Sequence, residues 1–95
     1  MFIPQTFTQK FELGQVLITP GAHDELDLKD VASSLVRHAS GDFGDMCEED
    51  KAYNEEALAT GGRIMSGYHD RNGVKFWIIT EWDRSATTIL LPDEY

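Results

Sequence analysis

Apolar residues recur along this chain with two different periods, and each period predicts a set of elements. From Asp27 to Ser40, the residues Leu28, Val31, Ala32, Leu35, Val36 and Ala39 fall at the spacing of one helix face, with Asp27 as N-cap and Gly41 as C-cap. A second helix is predicted from about Met46 to Thr60. Asp45 with Glu48 offers a capping-box-like start, and Gly61-Gly62 a stop. Elsewhere the pattern is strand-like. Gln15-Val16-Leu17-Ile18-Thr19 reads as a short strand ended by Pro20-Gly21, where proline removes a ladder donor. Arg63 to Asp70 and Val74 to Asp83 flank Asn72-Gly73, a strong hairpin signal; a two-residue turn there would set Tyr68 opposite Trp77 and Glu81 opposite Ile64. A further hairpin through Asp83-Arg84-Ser85, read as ordinary turn residues, leads into Ala86 to Leu91. Phe2, Ile3, Phe7 and Phe11 make the start of the chain too apolar for a free tail and predict packing on the core as an extra edge strand.

The expected architecture is a single α+β domain over residues 1–95: an antiparallel sheet of about four strands with two helices packed on one face. Composition agrees with a folded domain, since 41% of residues are hydrophobic and 11% aromatic. The formal charge of -9, from 17 acids against 8 Lys plus Arg, argues against direct nucleic-acid binding and favours a protein partner with a basic surface. Cys47 is the lone cysteine, so no internal disulfide can form and a reducing cytoplasm is the expected compartment. Met1-Phe2-Ile3-Pro4-Gln5 lacks the basic region of a signal peptide, and no apolar run approaches the roughly 20 residues that span a bilayer, so no membrane association is expected.

Candidate chemistry concentrates between and along the helices. Arg37-His38-Ala39-Ser40-Gly41-Asp42-Phe43-Gly44-Asp45 packs titratable groups into a glycine-punctuated connection, the usual setting of a site. Projection of the first helix puts Arg37 opposite the apolar stripe and His38 on its flank. Both fit a structural role at the negative end of the helix dipole better than a catalytic one. On the second helix, Asp50 and Asn54 fall in the apolar sector with Met46, Tyr53, Ala57 and Leu58. Inward polar groups need partners, and Arg37, His38, Arg63 or the Gly41 to Gly44 backbone could supply them, giving a polar network of Asp50, Asn54 and Arg63. Glu81, mid-strand beside Trp82 and on the face of Trp77 and Ile79, either joins that network or lines an exposed surface with the tryptophans. Seven acids and one Lys lie between Asp42 and Glu56. That density gives a solvated helix face or a docking surface for a basic protein, with Glu48, Glu49, Glu55 and Glu56 as its outermost carboxylates. Asp45, Glu48, Glu49 and Asp50 lack calcium-loop spacing, and neither a metal site nor a cofactor is expected.

Arg37-His38, Gly41-Asp42-Phe43-Gly44, Glu49-Asp50, Asn54, Ala57-Leu58, Gly62-Arg63 and Ser66-Gly67-Tyr68, with the closing run Trp77-Ile78-Ile79-Thr80-Glu81-Trp82-Asp83-Arg84-Ser85-Ala86-Thr87-Thr88-Ile89-Leu90-Leu91-Pro92-Asp93-Glu94-Tyr95, resemble the pattern of a small uncharacterised family of bacterial genomes, plasmids and other mobile elements. The likeness runs from about Phe11 to the end. It implies an accessory or anti-defence role without assigning functional residues. The expected function is therefore a non-enzymatic protein-binding module using the acidic helix face or Trp77 and Trp82. The alternative is a small enzyme or ligand-binding domain around Arg37, His38, Asp42, Asp50, Asn54, Arg63 and Glu81. For that alternative no nucleophile with a defined base is legible.

Overall fold

A computed structural model describes residues 9–95, and the apolar stretch proposed as an extra edge strand lies largely outside them. The chain runs β1 (Gln15–Ile18), α1 (Pro20–Glu25), α2 (Leu28–Ala39), α3 (Glu48–Thr60), β2 (Ile64–His69), β3 (Lys75–Thr80), β4 (Ala86–Leu90) and a closing 3₁₀ turn, Pro92–Glu94. The four strands form one sheet in the order β1-β4-β3-β2. The class is α+β as expected, but the sheet is mixed. The pairs β2–β3 and β3–β4 are antiparallel, whereas β1 runs parallel to β4. Three helices and β2–β3 separate those two strands in sequence, so their pairing is a long-range event that no local turn signal announces.

The helix count is also corrected, from two to three. Pro20-Gly21 was expected to stop β1 and open a turn. Pro20 instead opens α1: Thr19 is the N-cap, its Oγ1 accepting from the Ala22 N–H, and a proline missing its donor is tolerated in a first helical turn. Glu94 locks this junction, accepting from the Thr19 hydroxyl at 2.5 Å, the Gly21 N–H at 3.2 Å and the Leu91 N–H at 2.9 Å. Asp27 caps α2 as expected, accepting from the Lys29 and Asp30 N–H groups. Asp45 does not cap α3. The N-cap is Cys47, without a side-chain cap bond, and Asp45 lies two residues earlier with its N–H on the Gly67 carbonyl at 2.7 Å.

The β2–β3 hairpin is shifted by one residue from the expected register, so Tyr68 faces Phe76 and Gly67 faces Trp77. Asp70 is the cause. Its carboxylate accepts from the Asn72 and Val74 N–H groups at 2.9 Å each, and its carbonyl accepts from Gly73, which alone in the turn has positive φ (81°). This builds a three-residue loop with a glycine bulge in place of a two-residue turn. Because strand side chains alternate, the slip moves Thr80 rather than Glu81 opposite Ile64.

The face carrying Tyr68, Phe76, Ile78 and Ile89 packs against Ala22 and Leu26 of the α1 region and Val31 of α2. On α2 the buried line is Val31, Ser34, His38 and Ala39, while Leu28 and Val36 stay nearly half exposed. α3 lies against the outer edge of β2, where Ala57 joins Phe43 and Ile64 in a second, smaller cluster. On the opposite sheet face Trp77 meets Tyr95 edge-on at 5.6 Å.

Candidate functional site

His38, on α2, is completely buried against the sheet, in a hydrogen-bonded line that runs from the Leu13 carbonyl to Ser66. The Thr87 hydroxyl donates to the Leu13 carbonyl at 2.7 Å, so it accepts from Thr80, 2.7 Å away. With its proton spent on Thr87, the Thr80 oxygen accepts from His38 Nε2 at 2.8 Å. In the neutral ring that burial favours, Nδ1 is then the acceptor for the Ser66 hydroxyl, 2.5 Å away. The ring is thus the neutral Nε2–H tautomer. Burial, aided by the Arg84 charge, pushes its pKa from 6.5 down to about 4. Phe11 closes the ring off edge-on at 5.2 Å. Among the described residues no carboxylate hydrogen-bonds this imidazole, and its solvent exposure is nil.

Arg37, one residue earlier, points the other way. It grips Asp42 with two bonds, Nε to Oδ2 at 2.8 Å and Nη2 to Oδ1 at 3.2 Å, and lies 4.9 Å over the Tyr68 ring. This pairing holds the Asp42 carboxyl below its usual range and raises the Arg37 guanidinium. Tyr68 donates its buried hydroxyl to the Asp42 carbonyl at 2.6 Å, and burial pushes its pKa up to about 12. Beyond Asp42 the chain is laid along the outer edge of β2: Gly67 donates to the Phe43 carbonyl and accepts from Asp45. A Cβ at Gly44, which has φ of 68°, would overlap the Gly67 carbonyl and the Tyr68 ring. The connection singled out in the sequence is therefore a clamp that closes a sheet edge.

The second polar constellation divides. Asn54 is buried and bonds both backbone groups of Met65. Asp50 is exposed, accepting at 3.2 Å from the Cys47 thiol. Arg63 is stacked 5.1 Å over Tyr95, with Nε shielded and without an acceptor. These three line one open pocket of about 320 Å³ with Met46, Tyr53 and Met65, but no hydrogen bond joins any of them to another among the described residues. Glu81 follows β3 on the side of Trp77 and Ile79, away from His38, is partly exposed, and contributes backbone bonds to Ala86 and Arg84. Glu48, Glu49, Glu55 and Glu56 are all exposed on α3. Trp82 is 67% exposed, whereas Trp77 is partly covered.

Arg84 was read as a turn residue and does considerably more. Held at φ 59°, it donates to the carbonyls of Gly62 at 2.5 Å, Ala57 at 3.1 Å and Glu81 at 3.1 Å, fastening the C-terminus of α3 to the β3–β4 turn. Its isolation between Asp83 and Ser85 gave no hint of this reach. Thr80 and Thr87 have no sequence signal for the line they form with His38, and Ser66, a hydroxyl without a legible base in the sequence, does meet His38, but both are fully buried. Among the described residues, no three His, Cys, Asp or Glu side chains gather to hold a metal ion, and no helix is long and apolar enough to cross a membrane. Comparison with protein-family models, curated proteins and solved structures finds no match, so the reading of this chain rests on its own residues.

Proposed function

We propose that this chain is a non-enzymatic protein-binding module that docks through the exposed side of α3 onto a partner with a basic surface. The observation that carries the reading is the mounting of that helix. Its inner side is fixed by Asn54 to the β2 backbone and by Arg84 at its C-terminus. Its outer side presents Glu48, Glu49, Glu55 and Glu56 without an ion pair among the described residues. A rigid array of like charges tolerates self-repulsion in isolation and attracts a cationic surface over a Debye length, about 8 Å at physiological salt. Tyr53, 57% exposed on the same helix, adds the aromatic area that interfaces favour, and Trp82 in the β3–β4 turn is exposed as well. An accessory role for a mobile element, including anti-defence, is the biological setting that the sequence likeness supports.

The enzymatic alternative needs His38, Arg37, Asp42, Asp50 and Glu81 to serve one opening. His38 is sealed in the core, Arg37 and Asp42 satisfy each other, and Asp50 borders a different pocket. The test is affinity capture from bacterial lysate at low and high salt, using the unmodified chain and a variant with Glu48, Glu49, Glu55 and Glu56 changed to Lys. A partner held at low salt, released at high salt and lost with the four changes is expected. Recovery of no partner, or of partners indifferent to those changes, contradicts the reading.

A further inference from the structure

Three of the four arginines have acceptors for their guanidinium groups: Arg37 on Asp42, Arg71 on Asp27 and Asp30, and Arg84 on backbone carbonyls. Arg63 differs. Its Nε–H is shielded from water with no acceptor, and no carboxylate stands within ion-pair distance of it among the described residues. A guanidinium so placed has lost part of its hydration without regaining hydrogen bonds; with Nε covered, its Nη groups are what a carboxylate in the pocket would meet. The Tyr95 ring beneath it limits the orientations it can take.

The pocket that Arg63 lines contains a single carboxylate, that of Asp50, and the two do not pair. The amide of Asn54 is engaged by Met65. The remaining walls are Met46, Met65 and Tyr53, two adaptable thioethers and an aromatic ring. Opposite charges held apart on an apolar lining discriminate among ligands. A simple anion meets Asp50, and a simple cation meets Arg63. A zwitterion satisfies both. The volume of about 320 Å³ lies at the small end of ligand sites, which run from roughly 300 to 1,000 Å³.

We propose that this pocket binds a free α-amino acid with a large apolar side chain, its carboxylate on Arg63, its ammonium toward Asp50 and its side chain against Met46, Met65 and Tyr53. The inference does not rest on the docking reading: the two share Tyr53, but none of the four glutamates of that surface lines the pocket. The test is a titration of the ¹⁵N-labelled chain with L-leucine, leucinamide, which lacks the carboxylate, and N-acetyl-leucine, which lacks the ammonium. Saturable shifts at millimolar leucine, confined to Met46 through Asp50, Asn54, Arg63 and Met65, are expected. Both analogues should bind at least about tenfold more weakly. Arg63→Gln should remove the preference for leucine over leucinamide, and Asp50→Asn the preference over N-acetyl-leucine. The comparison of the three ligands on the unmodified chain decides the matter even where a variant does not fold. Absence of saturable shifts with leucine, or equal binding of either analogue, would overturn the proposal.

Discussion

Asn54 on α3 pairs with both backbone groups of Met65 on β2: its Oδ1 accepts from the Met65 N–H at 3.1 Å and its Nδ2 donates to the Met65 carbonyl at 2.8 Å. One side chain thus takes the place of a neighbouring strand at the outer edge of β2, and the Phe43 to Asp45 backbone does the same at Gly67. The edge is closed without charge or proline, and the closure also sets the side of α3 that faces outward.

Replacing Asn54 by Ala removes two buried bonds and leaves both Met65 groups unpaired. The expected loss is on the order of 2 to 4 kcal/mol, read as a lower midpoint in urea denaturation. Asn54→Asp restores the acceptor only and introduces a buried charge, so at neutral pH it should rescue little. A midpoint equal to that of the unmodified chain in either variant would remove Asn54 as the fastener of α3.

His38 predicts a stability loss in mild acid. The folded chain protonates it near pH 4 and the unfolded chain near 6.5, so above 6.5 both states are neutral and no penalty exists. As pH falls from 6.5 to 4 the unfolded state binds the proton first, and stability decreases by about 3 kcal/mol over that window. Asp42, Asp70 and Glu94, whose carboxyl groups are held below their usual values, act in the same direction but at lower pH. Denaturation midpoints measured across pH 4 to 7 should slope downward toward acid. His38→Gln should lower stability at neutral pH and flatten that slope; a slope unchanged by the substitution would assign it to other groups.

Arg84 couples to the same histidine, since its charge is the second cause of the depressed His38 pKa. Arg84→Gln should raise the His38 titration midpoint, followed by the ring proton shifts, and lower stability by about 1.5 to 3 kcal/mol as the carbonyls of Ala57 and Gly62 lose a charged donor. Arg84→Gly relieves the positive φ while deleting the same bonds. If it proves as stable as the unmodified chain, backbone strain rather than the clamp governs this position.

The elements that could be read from the sequence are those bounded by residues acting locally. Asp27 and Gly61 delimit the two longer helices where the sequence put them, and Gly41, expected as the C-cap of α2, follows the actual cap Ser40 with its φ of 86°, because caps and left-handed stops are short-range chemistry. The β2–β3 hairpin was legible as a hairpin but not in its register, because Asn72-Gly73 matches a two-residue turn and only the reach of the Asp70 side chain selects the longer loop. The parallel pairing of β1 with β4 and the burial of His38 against Ser66 and Thr80 join residues far apart in sequence, and neither has a local signature. The candidate site followed the same division. Asn54 was marked as inward by helix periodicity, but Asp50, four residues earlier and placed in the same sector, emerges at a pocket rim where α3 overhangs the sheet edge. For Glu81 the one-residue slip overturns only the pairing with Ile64, which Thr80 takes; its face, with Trp77 and Ile79, follows from alternation alone.

The central claim, that the outer side of α3 is a docking surface, is tested most directly by photo-crosslinking. A photoreactive residue is placed at Tyr53, and separately at Val36, an exposed apolar position on α2. The chain is irradiated in bacterial lysate with and without lysine at Glu48, Glu49, Glu55 and Glu56. The account predicts a discrete adduct from position 53 that disappears with the four charge changes, and none from position 36. An adduct from position 36 alone, or one from position 53 that survives all four changes, would contradict it.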